Sequence, residues 1–426
     1  MAYISNTSYC LSCGLSALSL ALTACSVGES PDVNESHETG WNVGPAQTVL
    51  AAHYMPWFNN PHTSARKLPA WKHWEWRNGD FVKDPERRLG SGLRDVASVQ
   101  YPLIGAYSSD NREVIRYHLE TAKAVGIEAF FVIWYGPGSD VDAVIPQILD
   151  LAQEVGLKIA ICYEEKLNWQ PYRQPKTRED IVQTATEDLS YLLNEYAGHP
   201  AYLKRNGEPF IFQFNFWGSD ELGARNILPE EWEQIFAALS QPVVYGRQNL
   251  NPEYHPGVEA NYIWWTKDTT YIEDFADYSR SLVDLGKMDF FMNMIAPGFD
   301  DSGVNGWGNG SRALPREGLS TLRDTFLRSW RGDPEVIQLI TWNDFNEGTA
   351  LEPTVDLGYQ YIDAIETWWG EHTGRPVNLE DNREPLKRYL GSANEAQLSE
   401  VPKNVRQLAE QVSDLTVAQP DYLESL

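Results

Sequence analysis

Asp344 and Glu347 lie three residues apart in segment 335–353, EVIQLITWNDFNEGTALEP. Two carboxyl groups at that spacing can face one ligand and divide acid and base work, one kept protonated and one kept ionised. Trp342, Asn343 and Asn346 surround them, and Gly348 breaks the run. The same residues also suit a capped turn, because Asp and Asn favour turns and Glu347 could cap a following helix. The pair becomes catalytic only if other functional groups converge on it.

What positions the pair is an apolar run, 336–340, that reads as a buried strand. A strand that releases polar and acidic groups from its C-terminal end is what an α/β barrel uses at its active site. Seven further strand-like runs are expected at 48–54, 127–135, 158–164, 209–215, 242–248, 258–265 and 290–297, the eighth being 335–345. Helical periodicity falls between them at 112–125, 141–155, 178–196, 229–239, 272–285, 317–330 and 359–369. Only the connection at 252–256 is too short for a helix. Alternation of this kind predicts a (β/α)8 TIM barrel in one catalytic domain spanning 48–372, with 373–426 as an extension packed outside. A doubly wound sheet is the alternative, but no Gly-rich phosphate loop follows any strand.

The other strand ends are aromatic. The first gives His53-Tyr54-Met55-Pro56-Trp57 and leads into a loop with Trp71-Lys72-His73-Trp74. Later ends give Trp134-Tyr135, Tyr163-Glu164-Glu165-Lys166, Asn215-Phe216-Trp217 and Tyr262-Ile263-Trp264. Converging on one barrel mouth, they supply stacking faces and hydroxyl acceptors, as a saccharide cleft requires. His53, His62, His73 and His118 lack metal-ligand spacing, so no metal and no cofactor are expected, and Asp300-Asp301-Ser302 reads as a solvated loop rather than a calcium site.

With 426 residues, 16 Trp and a net charge of −26, the chain can bury a large core and would be repelled by nucleic acid and anionic lipid. The small apolar run 11–24 ends at Cys25, a lipoprotein-type signal over 1–25 that would make Cys25 the lipidated mature terminus. Residues 26–47 then form a flexible tether. No Lys or Arg precedes Arg66, so the usual basic leader region is missing. A monomeric bacterial cell-envelope lipoprotein is expected, touching membrane only through its anchor.

Several motifs in order, HYMPWFNNP with WKHW, GAYSSDNREVIRYHLETAKAVGIEAFFVIWYGP, KIAICYEE, YAGHPAYLKRNGEPFIFQF, MNMIAPGFDDS and TWNDFNEGTALEP, resemble glycoside hydrolase family 99, the endo-α-mannosidases. The resemblance runs from about His53 to Pro353. It implies a retaining endo-acting α-glycosidase on α-mannan-like polysaccharide or oligosaccharide, with Glu347 as general acid/base. Asp344 stands where the family has a glutamate that deprotonates the sugar's own 2-hydroxyl. This substrate-assisted route is an exception to the two-carboxylate nucleophile scheme. Aspartate is one methylene shorter, a deficit of roughly 1.5 Å, and a similar Trp-Asn-Asp strand end occurs in α-1,3-glucanases of family 71. By position, Glu164 resembles the substrate-contacting glutamate, Trp134 the stacking tryptophan and Tyr262 the tyrosine near the scissile bond. Tyr54, Trp57, His73 and Trp74 fall in regions lining the sugar subsites. Asn343, Trp264, Lys166 and Asn168 join them by location. Hydrolysis of another glycan, or glycan binding without catalysis by a lipid-anchored protein, are the alternatives.

Overall fold

The computed structural model describes residues 40–43, 48–164, 177–214, 227–248 and 259–412. Eight parallel strands close into a barrel: β1 (Val49–Tyr54), β2 (Ala129–Trp134), β3 (Lys158–Glu164), β4 (Glu208–Phe214), β5 (Val244–Gln248), β6 (Ala260–Tyr262), β7 (Phe290–Ile295) and β8 (Val336–Leu339). Each strand pairs with the next, and β8 returns to β1 in the register Val49↔Val336. The fold is a (β/α)8 TIM barrel.

The helices around it are α1 (Arg112–Val125), α2 (Ile145–Val155), α3 (Arg178–Glu195), α4 (Pro229–Ala238), α5 (Tyr271–Asp284), α6 (Ser320–Ser329) and α7 (Gln360–Thr373). Local chemistry sets their ends. The Asn111 side chain accepts the Glu113 N–H at the start of α1, and Gly126 stops that helix at a φ of 104°. Thr177 and Asp180 form a reciprocal capping box on α3.

Register decides what faces inward. His53 pairs with Phe131, Cys162 with Phe212 and Ala51 with Gln338, and side chains alternate along each strand. The interior therefore holds a polar pair among aromatics. His53 Nε2 lies 2.7 Å from Gln338 Oε1, and Gln338 donates to the Ile263 carbonyl. Burial pulls the His53 pKa down to about 3, so the neutral ring donates its Nε2–H to Gln338.

Residues 40–43 lie within the stretch expected to be a free tether, yet Trp41 closes the barrel floor. It is buried, packs edge-on against Phe210 and Phe290, and donates to Glu335. At the other end of the chain, α8 (Glu384–Ser392), α9 (Glu395–Glu400) and α10 (Lys403–Val412) pack outside the barrel. Arg388 reaches Glu120 on α1, and Glu400 pairs with buried Arg94. No helix among the described residues is long and apolar enough to cross a membrane.

The main departure from expectation is at the top of β8. Ladder pairing ends at Leu339, the Ile340–Thr341 peptide is cis, and the chain folds into a compact turn instead of extending to 345. The Thr341 N–H donates to the Thr349 carbonyl and the Leu351 N–H returns to Thr341 and Trp342.

Candidate active site

The turn after β8 carries both acids. Thr341 Oγ1 accepts the Asp344 N–H at 2.7 Å, and Asp344 Oδ1 accepts the Glu347 N–H at 3.0 Å. Asp344 thus caps its own turn, as a short acidic side chain does well. Asp344 is 2% exposed, whereas the Glu347 side chain is 21% exposed. Tyr135, the first residue past β2, is the meeting point. Burial raises its phenol well above the usual range, and the charges of Glu164, Asp344 and Glu347 raise it further. Asp344 is itself driven well above the ordinary aspartate range, first by burial and then by the Glu347 charge. Burial and the neighbouring charge therefore favour the protonated form of Asp344.

Glu347 sits between two aromatic groups. Trp307 Nε1 donates to Glu347 Oε1 at 3.1 Å, and Arg312 Nη2 lies 4.0 Å from the same oxygen. Arg312 also pairs with the buried Asp301 at 2.8 Å and covers Phe299, which stacks on Trp265. Asp301 is thereby spoken for by an arginine. On the other flank, Asn346 donates to the His73 and Ala97 carbonyls, so its Oδ1 accepts the His73 Nδ1–H at 3.0 Å. Burial lowers the His73 pKa to about 4 and keeps the ring neutral. Trp57 stacks flat on it, centroids 4.4 Å apart. Among the described residues, no group of three or more His, Cys, Asp and Glu side chains is placed to hold a metal ion.

Beneath the turn runs a buried polar network. Asn343 bridges both backbone groups of Met55 and donates to Tyr107 OH, which donates to Glu352. His118 Nε2 lies 3.3 Å from Glu352, and its Nδ1 meets Tyr54 OH at 3.0 Å. From the side, Arg316 donates to the carbonyls of Gly348 and Ala350 and to Gln100. Burial without a carboxylate partner among the described residues pulls its pKa below the arginine norm.

Comparison with known proteins now bears on this mouth. A sequence profile described as "Glycosyl hydrolase family 99" matches residues 45–248. Glycoprotein endo-alpha-1,2-mannosidase of Mus musculus is 23% identical over 338 residues, 73% of this chain and 69% of that protein. The Xenopus laevis protein of the same name is 24% identical over 337 residues, covering 73% and 71%. The solved family-99 endo-α-mannosidase from Bacteroides thetaiotaomicron superposes with a TM-score of 0.59 at 20% identity, covering 79% of this chain and 98% of that one. The chain is similar to glycoside hydrolase family 99 in sequence over residues 45–248 and shares its barrel fold. The profile match spans β1 to β5 and ends before the turn that carries Asp344 and Glu347.

In this family-99-like barrel the residues singled out from sequence separate into two groups. The charges of Glu164, Asp344 and Glu347 all act on Tyr135, and Trp57 stacks on His73, which donates to Asn346 of the same turn. Trp264 lines the next level down, edge-on to His53 and Phe214. The others are placed elsewhere. Trp134 points outward from β2, fully buried, and its Nε1 donates to Asp142 beside Tyr191 and Tyr196. Alternation hands the mouth to Tyr135 instead. Tyr54 points outward from β1 onto His118, stacked on Phe130. Trp74 is sealed against Phe58 with its N–H on the Tyr107 carbonyl. Tyr262 faces inward but is closed off by Phe212 and donates to the Gln213 carbonyl. Asn343 is consumed by the network under the turn. Glu165, Lys166, Asn168, residues 215–217 and Cys25 lie outside the described residues. Sequence reasoning missed Tyr135, Trp307 and Arg312. Trp307 was signalled by its setting, a lone indole in the glycine-rich run GVNGWGNGS.

Proposed function

We propose that the protein is a retaining, endo-acting α-glycosidase that cleaves α-mannan-like polysaccharide or oligosaccharide. The observation that carries this is the Asp344/Glu347 pair held on one hydrogen-bonded turn at the C-terminal mouth of a family-99-like barrel, with the Glu164 charge acting on the same Tyr135. The linkage follows the curated relatives, which are named for α-1,2-mannoside cleavage. Glu347, the more open acid, protonates the departing glycosidic oxygen. Asp344, once ionised, takes the proton of the sugar's 2-hydroxyl as that oxygen attacks the anomeric carbon, giving a 1,2-anhydro sugar. Water then opens it, with Glu347 as base and Asp344 returning its proton, so configuration is retained. The raised pKa of Asp344 makes it the stronger base whenever it is ionised.

Glu347→Gln tests the role directly. Turnover of an α-1,2-linked manno-oligosaccharide is lost while binding by calorimetry persists; undiminished hydrolysis removes Glu347 from the mechanism. A second reading, cleavage of another α-glycan such as an α-1,3-glucan, is favoured by Asp344, whose short side chain is already engaged by the Glu347 N–H. Product analysis by reducing-end NMR on mannan and α-glucan panels separates the two. The proposal includes export of the chain and its attachment by a lipid on Cys25, supported by the apolar run that ends there.

A further inference from the structure

The segment that supplies Trp307 has an unusual backbone. Asn305, Gly306, Trp307 and Gly308 have φ values of 51°, 59°, 55° and 91°, four left-handed residues in succession. Glycine accepts this freely and Asn tolerates it, but a tryptophan there is strained. Turn hydrogen bonds from Gly308 to Asn305 and from Asn309 to Gly306 hold the conformation. The ring packs edge-on against Trp76 at 5.2 Å and faces His73 at 6.3 Å. The strained turn delivers one polar contact of consequence, the indole N–H on Glu347 Oε1 at 3.1 Å.

We infer that Trp307 is a positioning residue for Glu347, fixing Oε1 as the accepting oxygen and Oε2 as the oxygen that gives up the proton; this rests on the reading of Glu347 as general acid. A protonated carboxyl carries hydrogen on one oxygen and accepts best through the other. A tryptophan N–H only donates, so the oxygen it faces is the carbonyl oxygen. In the cleavage step the Oε2–H bond breaks, the proton joins the glycosidic oxygen, and the bonding pair stays on the carboxylate. The anion so formed is met at Oε1 by the indole N–H, with Arg312 at 4.0 Å. A hydrogen bond to an ionised acceptor is stronger than one to a neutral acceptor. The contact therefore tightens as the proton leaves and assists only reactions whose leaving group needs that proton.

The test compares Trp307→Phe, which keeps the ring against Trp76 and removes the N–H, with the unmodified protein on two substrates. One is an α-1,2-linked manno-oligosaccharide; the other is the α-fluoride of the same glycone, whose leaving group departs without protonation. The expected result is a fall in kcat of roughly ten- to a hundredfold on the oligosaccharide, the size of a lost hydrogen bond to a charged group. Turnover of the fluoride stays within about twofold. Trp307→Leu, which keeps apolar bulk in another shape, shows the same split. Equal losses on both substrates make Trp307 a purely structural residue and overturn the inference, as does unchanged oligosaccharide turnover. Glu347→Gln runs alongside. If it retains oligosaccharide activity, the acid assignment itself fails; if it is inactive while Trp307→Phe is fully active, only the present inference fails.

Discussion

Gly348→Ala tests whether the turn that carries Asp344 and Glu347 is anchored where the structure places it. Gly348 follows Glu347 directly and has a φ of +63°, and a Cβ built there would lie 2.5 Å from the Asp300 carbonyl oxygen and 3.0 Å from its nitrogen. Both are backbone atoms, so relief requires segment 300 to retreat by about 1 Å to reach normal contact. That retreat breaks the 2.8 Å hydrogen bond from the Asp300 N–H to the Glu347 carbonyl. The left-handed alanine costs about 1–2 kcal/mol and the lost hydrogen bond about 0.5–1.5 kcal/mol, together about 1.5–3.5 kcal/mol. Function loses more, because Asp300 opens the segment bearing Trp307 and Arg312, and a displacement of about 1 Å at a reacting group costs on the order of a hundredfold. The assay pairs urea denaturation with kcat on a manno-oligosaccharide. Gly358→Ala is the control: its φ is +55° with nothing within 4 Å of the added carbon. It pays the left-handed penalty alone and keeps its kcat. Equal destabilisation of the two variants, with full activity in Gly348→Ala, would refute the anchoring argument.

Three other expectations can be measured separately. Asp344 is held above the ordinary aspartate range, so the folded protein binds that proton more tightly than the unfolded chain does. Stability therefore falls as pH rises from about 4 toward the folded value, by up to about 1.4 kcal/mol per pH unit. Asp344→Asn flattens that slope in thermal melts between pH 4 and 8, and a slope that survives the change shows that another group causes it. The acid limb of the parent kcat/KM profile sits above the ordinary aspartate range for the same reason. Trp134→Phe lowers the melting temperature with little change in KM, whereas Tyr135→Phe alters kcat or KM with little change in melting; the reverse pattern would mean that the outward assignment of Trp134 is wrong. Cys25→Ala moves the expressed protein from the membrane to the soluble fraction and abolishes metabolic fatty-acid labelling, and labelling that persists places the lipid elsewhere.

The barrel was legible because its helices carry their own signals. The 3.6-residue period alone places α1 and α3 within a residue of where they lie, and the structure adds the caps that end them, Asn111 with Gly126 and Thr177 with Asp180. Facing was not legible. Barrel strands are buried on both sides and read as continuous apolar runs, so the sequence AFFVIWY offers no polar residue to fix which parity faces inward. Trp134 was assigned through its position in the family resemblance, and the register with β1 and β3 gives the mouth to Tyr135. Tyr54 was misplaced by the same ambiguity. Trp307 was harder still, because its contact to Glu347 joins loops 40 residues apart.

The asymmetry of the two acids follows from what lies beneath them. Asn343, Tyr107, Glu352 and His118 tie the turn after β8 to the start of the loop after β1, and Arg316 pins the carbonyls of Gly348 and Ala350 from the side. Each of these groups satisfies backbone or side-chain partners away from the mouth, so none of them is free to neutralise Asp344. The fold thus holds the turn rigid with charges and amides directed downward, leaving Asp344 to face burial and the Glu347 charge with only the N–H groups of its own turn in opposition. Burial and the Glu347 charge hold that carboxyl toward its protonated form, while its neighbour is more open to solvent and accepts the Trp307 N–H. Rigidity under the turn and inequality above it are two consequences of the same packing.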